Sequence, residues 1–178
     1  MEDVIVVGAG PAGLWLAGDL RRAGVPVLVL ERGEAPDPRS RALTVHPRTI
    51  EMLAMRGMEK TFLDGGTTLP IGHFAQLDTW LDFRPLPTRH PYTLIHPQAR
   101  TEEVLQERAI ELGARVRRGH AVTGLRQDGE SVELDVTGPD GPYRVRAHWV
   151  VGADGAGSTV RRAAGGGAPG TDATVHGF

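Results

Sequence analysis

The chain has 178 residues, a formal net charge of −2, 40% hydrophobic and 24% charged residues, and no cysteine. That length suits one good-sized domain, and the near-neutral charge excludes a basic footprint for nucleic acid or a polybasic patch for a membrane surface. Without cysteine there are no disulfides, thiol catalysis or thiolate metal sites.

No run approaches the roughly 18 consecutive apolar residues of a membrane span. The Met1-Glu2-Asp3 start lacks the basic region of a signal peptide, so the cytoplasm is the expected location. Residues 3–7 read as a continuous apolar strand covered on both faces, as in a parallel sheet. Gly8-Ala9-Gly10-Pro11-Ala12-Gly13 follows. A helix opens at or near Pro11, where a missing donor costs nothing. Leu14, Leu16, Ala17 and Leu20 form its apolar stripe, Arg21-Arg22 favour its C-terminal end, and Gly24 stops it. Residues 25–30 form a second buried strand that closes on Glu31.

Residues 32–43 are polar, contain Pro36 and Pro38, and read as a long loop. A helix is expected over 47–55, ending at Gly57. The span 67–92 is β-rich but irregular, with 72–77 and 79–83 pairing as a hairpin. A strong helix over 98–112, capped by Gly113, leads to a short third parallel strand at 115–117. Segments 121–126, 131–137 and 143–147 alternate apolar and polar residues. They are separated by Asp128-Gly129 and Gly138-Pro139-Asp140-Gly141, both hairpin-type turns. These three form an antiparallel meander inserted between parallel strands. A buried strand at 148–151 then runs into Gly152-Ala153-Asp154-Gly155, and Ser158 caps a short helix over 159–164. The glycine-rich stretch 165–170 reads as a connector. The expected class is α/β, Rossmann-like.

Strand, glycine turn, helix, strand and terminal acid together make a dinucleotide-binding unit. Gly8 permits the tight turn, Gly10 lets the backbone approach a pyrophosphate, and Gly13 lets the helix pack on the sheet. The helix start presents a partial positive charge to phosphates at Pro11 and unpaired N–H groups from Ala12 onward. Glu31, 18 residues after Gly13, can accept hydrogen bonds from ribose hydroxyls and repel a 2′-phosphate, which favours FAD or NAD over NADP. The seven histidines show no metal-ligand spacing, so no metal site is expected. Ser158 has no nucleophile-elbow context.

Three motifs together resemble the FAD domain of the class A flavoprotein monooxygenases, the group containing para-hydroxybenzoate hydroxylase, and most of all its aromatic-polyketide hydroxylase and rifampicin monooxygenase branch. They are Gly8 to Gly13 with Glu31, the Asp154-Gly155 pair within the run from Val150 to Arg161, and the helix start Pro97-Gln98-Ala99-Arg100-Thr101-Glu102. The resemblance implies a glutathione reductase-type FAD-binding sheet. It implies that Gln98 and Arg41 reach the ribityl and pyrophosphate region, that Arg32 and the backbone of Val122 border the adenine, and that Asp154 and Gly155 belong to the FAD and reduced-nicotinamide site. A carboxylate does not attract a pyrophosphate, so Asp154 is expected to accept hydroxyl protons and fix neighbouring loops.

The implied activity is NAD(P)H-dependent hydroxylation of an aromatic, polyketide-like small molecule, with FAD carrying the chemistry and no catalytic side chain in this segment. A related halogenase or reductase, or a non-catalytic nucleotide-binding module, stays open as an alternative. Residues 1–170 are expected to be the N-terminal part of the FAD-binding domain, with 171–178 entering a substrate domain or forming a tail. The family's later Gly-Asp motif has no counterpart here, because Gly18-Asp19 lies inside the first helix. An exposed apolar sheet edge is therefore expected, through which a partner chain or second copy could pair.

Overall fold

The computed structural model describes residues 1–38, 42–73, 78–167, 169 and 170. In chain order the elements begin with β1 (Glu2–Val7), α1 (Pro11–Arg22), β2 (Val27–Glu31), β3 (Thr44–Val45), α2 (Pro47–Ala54) and α3 (Glu59–Asp64). Next come β4 (Thr67–Leu69), β5 (Ile71–Gly72), β6 (Leu81–Asp82), β7 (Thr93–Ile95) and α4 (Gln98–Glu111). The last are β8 (Arg115–Arg118), β9 (Ala121–Gln127), β10 (Val132–Gly138), β11 (Gly141–Gly152) and α5 (Thr159–Ala163). They form two compact units, Met1–Asp37 with Leu105–Phe178, and Pro38–Val104, so the boundary falls within α4.

The first unit is built on a six-stranded sheet of order β8-β2-β1-β11-β10-β9. Its first four strands are parallel, and β11, β10 and β9 are antiparallel to one another. Val4–Val7 of β1 and Val27–Leu30 of β2 are buried throughout, which is why both strands read as unbroken apolar runs. Ile5, Val7, Leu28 and Leu30 join Leu134, Val136, Ala147 and Val160 in one core, so the meander covers a face of the parallel strands. Leu14 and Ala17 of α1 are also buried. Full burial of such side chains contributes roughly 1.5–3 kcal/mol each.

The strands expected at 143–147 and 148–151 are one. β11 runs unbroken for 12 residues, pairing antiparallel with β10 through Tyr143 and Val145 and parallel with β1 through Trp149 and Val151. No turn residue separates Ala147 from His148, so nothing forces the chain to break there.

The edge expectation also changes. One edge strand, β8, carries exposed Arg115 and Arg117, and the other, β9, packs Val122 and Leu125 against the core. Among the described residues of this six-stranded sheet, the exposed large apolar side chains are Trp149, 71% exposed, and Val151, both on the internal strand β11. The uncovered surface is thus a sheet face rather than an edge.

The second unit holds α2, α3, the small sheet β3-β7-β4 and the β5–β6 pair. Among the described residues, Ile50, Leu53, Met58, Phe62, Leu94 and Val104 are its buried apolar side chains. Neither α3 nor the small sheet is expected from the sequence, since elements of two to six residues are too short for periodicity to register. Of the expected hairpin, Ile71 pairs with Asp82 and Gly72 with Leu81, while residues 74–77 lie outside the described residues. Arg41 and the expected terminal segment 171–178 lie outside them as well. Among the described residues, no helix is long and apolar enough to cross a membrane.

Candidate functional site

The turn between β1 and α1 is shaped by contact rather than by composition alone. Gly8 has φ +106°, a conformation that L side chains rarely adopt, and its amide donates to the Leu30 carbonyl at 2.8 Å. A Cβ on Gly13 would lie 2.0 Å from the Gly8 carbonyl oxygen and 3.3 Å from Val6 Cγ1, so only glycine lets α1 approach the sheet this closely. Gly10 differs. Its φ of −77° is ordinary, and a Cβ there would meet nothing within 4 Å. Open space therefore faces the backbone where α1 begins. Pro11 has no N–H, and the amides of Ala12 and Gly13 have no acceptor within the helix. The donors and the positive end of the helix dipole suit a diphosphate.

Glu31, at the end of β2, faces this turn. Its Oε2 accepts from the Ala9 amide and its Oε1 from the Gly33 amide, both at 2.8 Å. A carboxylate offers about four acceptor positions, so two remain for hydroxyl groups. The tie to Ala9 is a second task that spacing alone did not reveal. Arg32 follows it and is exposed. Val122 comes close through the backbone: His120 donates its amide to the Glu31 carbonyl at 2.8 Å and Gly119 donates to the Gly33 carbonyl at 3.1 Å. β9 therefore starts beside the end of β2, with the Val122 side chain turned onto the core.

The Asp154-Gly155 turn meets the glycine turn. Ala153 donates its amide to the Val7 carbonyl at 2.8 Å, extending the β1–β11 ladder into the turn. Asp154 is occupied by its own helix. Its Oδ1 accepts from the Ser158 hydroxyl, and its Oδ2 accepts from the amides of Thr159 at 2.7 Å and Val160 at 3.3 Å. Ser158 Oγ in turn accepts from the Arg161 amide at 3.0 Å, so the first three amides of α5 are all satisfied. Burial works against ionisation of Asp154, but the Ser158 hydroxyl and the Val160 and Thr159 amides outweigh it and hold the carboxyl below its usual value. The Ser158 cap is legible in the sequence, and the hydroxyl whose hydrogen bond Asp154 accepts here is that of Ser158. Gly155 is exposed with φ +81°.

Gly8, Gly10, Pro11, Ala12, Gly13, Glu31, Arg32, Val122, Asp154 and Gly155 thus all belong to the first unit, around the ends of β1, β2 and β11. Gln98 belongs to the second unit. It opens α4, donates its amide to the Ala42 carbonyl at 3.0 Å and donates from Nε2 to Glu102 Oε1 at 2.7 Å. Two residues earlier lies a group that sequence reasoning missed. His96 is 1% exposed, stacks on Phe62 with ring centres 4.7 Å apart, and shares a 2.9 Å hydrogen bond between Nδ1 and Thr101 Oγ1. Its Nε2 has no partner among the described residues. Burial, with a smaller contribution from the Arg100 charge, pushes its pKa below the ordinary histidine value. Among the described residues no cluster of histidine and carboxylate side chains has the arrangement of a metal site.

The chain is 54% identical over 170 residues to a 12-dehydrotetracycline 5-monooxygenase/anhydrotetracycline 6-monooxygenase of Streptomyces rimosus, a match covering 96% of this chain and 34% of that protein. It is 49% identical over 177 residues to a rifampicin monooxygenase of Streptomyces venezuelae, covering 99% of this chain and 36% of that protein. Among solved structures, an anhydrotetracycline hydroxylase from Streptomyces rimosus superposes with a TM-score of 0.93 at 54% identity, over 96% of this chain and 35% of that one. The chain spans about a third of the length of the curated relatives it matches. The FAD binding domain family matches residues 1–177. With that match running almost end to end, and with a turn whose open, amide-lined start suits a dinucleotide, the chain belongs to the family of FAD-binding domains.

Proposed function

We propose that this chain is the flavin-binding part of an NAD(P)H-dependent monooxygenase that hydroxylates an aromatic, polyketide-like small molecule. The observation that carries the reading is the glycine turn held by Glu31, open at Gly10, in a chain about half identical to tetracycline and rifampicin monooxygenases. Residues 1–170 form the N-terminal part of the FAD-binding domain, with 171–178 leading toward a substrate domain or forming a tail. Such an enzyme draws its reductant from the cytoplasmic nicotinamide pool.

The amides of Ala12 and Gly13 and the α1 N-terminus hold the diphosphate, with Gly10 allowing the backbone to approach. Glu31 accepts the adenosine ribose hydroxyls on its two remaining acceptor positions. Arg32 and the Val122 backbone border the adenine. Gln98 and Arg41 bind the ribityl and pyrophosphate region. Asp154 and Gly155 shape the turn that backs Gly8, and Asp154 does so by ordering α5 rather than by touching phosphate. Bound flavin supplies the electron transfer and oxygen activation that protein side chains cannot. The chain's share is to bind, orient and exclude water, and none of its residues takes a catalytic role.

The test is the full-length protein. It should purify with flavin absorbance and consume NADH or NADPH faster when a polycyclic phenol is added, yielding a product with one additional oxygen atom by mass spectrometry. A flavin-loaded protein that never hydroxylates any phenolic or polycyclic compound would overturn the activity. A colourless protein that ignores added FAD would overturn the binding site too.

A further inference from the structure

We propose that His120, anchored by Tyr143, is a positioning residue for the adenosine half of the dinucleotide, acting through Glu31; this rests on the reading that Glu31 accepts the ribose hydroxyls. His120 precedes β9. Its amide donates to the Glu31 carbonyl at 2.8 Å, and its neighbour Gly119, at φ +74°, donates to the Gly33 carbonyl at 3.1 Å. One dipeptide therefore clamps both ends of the Glu31-Arg32-Gly33 segment. The Glu31 carboxylate then holds the amides of Ala9 and Gly33.

The clamp is itself held by the meander. His120 Nδ1 lies 2.8 Å from the Tyr143 hydroxyl, and the rings meet edge-on with centres 5.7 Å apart. Gly138, at the end of β10, leaves room for this pair. A Cβ there would sit 2.9 Å from His120 Nδ1 and 3.2 Å from Tyr143 Cε1. A continuous line of contacts thus runs from Tyr143 through His120 and Glu31 to Ala9 in the glycine turn.

The hydrogen bonds of this line hold the rim of the site, while the Tyr143 ring packs on the core and is retained in Tyr143→Phe. Leu28, Val29 and Leu30 are paired to β1 and β8 and buried without any help from His120. Loss of the clamp frees the Glu31 carboxylate before it loosens the sheet, and a binding group must be held to within about 0.5 Å to keep its geometry.

The experiment titrates FAD into the full-length apoprotein carrying His120→Ala, Tyr143→Phe, Glu31→Gln, or His120→Ala combined with Glu31→Gln. His120→Ala should raise the FAD Kd by roughly tenfold, and Tyr143→Phe by roughly threefold, about the worth of a hydrogen bond. In the Glu31→Gln background, His120→Ala should add less than about twofold, because the residue it acts through is already disabled. A purely structural role would lower Tm and leave the effects additive, which overturns the proposal. Unchanged Kd in both single variants overturns it equally, and Tyr143→Phe decides the matter should His120→Ala fail to fold. Wild-type protein that binds no FAD, or Glu31→Gln that binds it normally, defeats the underlying site reading instead.

Discussion

Gly8 lies so close to Ala153 that a Cβ on Gly8 would stand 2.4 Å from the Ala153 carbonyl oxygen and 3.0 Å from Asp154 Cα. The glycine turn after β1 and the turn that carries Asp154 are therefore one packed object, although most of the chain separates them. Gly8 tolerates no side chain for two independent reasons, this backbone contact and its φ of +106°.

Gly8→Ala should therefore destabilise the protein even without cofactor. The positive φ alone costs roughly 1–2 kcal/mol, and the overpacking adds roughly 1–3 kcal/mol. Thermal unfolding of the apoprotein should show a Tm lowered by several degrees. An unchanged Tm would mean that the two turns are not in contact.

Gly10→Ala should behave in the opposite way. Its backbone is ordinary and its Cβ would point into open space, so Tm should stay close to the parent value. Affinity for FAD should nevertheless fall tenfold or more, because the methyl group would occupy the open space proposed for the diphosphate. Equal losses of stability and affinity would remove Gly10 from the binding surface.

Asp154→Ala should cost about 1–2 kcal/mol through loss of the α5 cap. Hydrogen bonds hold the folded-state pKa below the ordinary carboxyl value of 3.8, so the contribution is fully present above that value. It is lost as pH falls through the folded-state value, since the folded protein then takes up the proton that the unfolded chain already holds. Urea unfolding at pH 7 and near pH 3 checks this. The gap between wild type and variant should narrow in acid, and Asp154→Asn, which keeps an acceptor oxygen, should lie between the two.

His96 works over a different range. Burial lowers its folded-state pKa below 6.5, so between the two values the unfolded chain binds more protons than the folded one. Stability should thus rise with pH through that window, by at most about 1.4 kcal/mol per pH unit for this one group. Below 6.5 the neutral ring becomes a liability, as its buried Nε2 has no acceptor for a proton among the described residues. His96→Asn should give a protein that is less stable overall but with a flatter profile from pH 7 to 5. An unchanged slope would show that other groups govern the acid response.

Neighbouring residues were enough to read the β1–α1–β2 unit. Val4 to Val7 declare a buried strand by being apolar throughout, Pro11 and Gly24 mark where a helix opens and stops, and Glu31 falls where such a unit ends. The Ser158 cap and the turns at Asp128 and Gly138–Gly141 are equally local, since each depends on backbone preferences within a few residues. What stayed hidden depends on partners remote in the chain: the Ala9 amide on Glu31, the Ala153 carbonyl against Gly8, and the single strand β11 that pairs parallel with β1 and antiparallel with β10. The same holds for the tuning of individual groups. Asp154 shows in the sequence as an acid before a helix, yet whether its carboxylate faces solvent, cofactor or its own α5 amides is settled only when the backbone closes around it. Dihedral preference and periodicity act along the chain, whereas desolvation and hydrogen-bond geometry arise between segments that folding brings together.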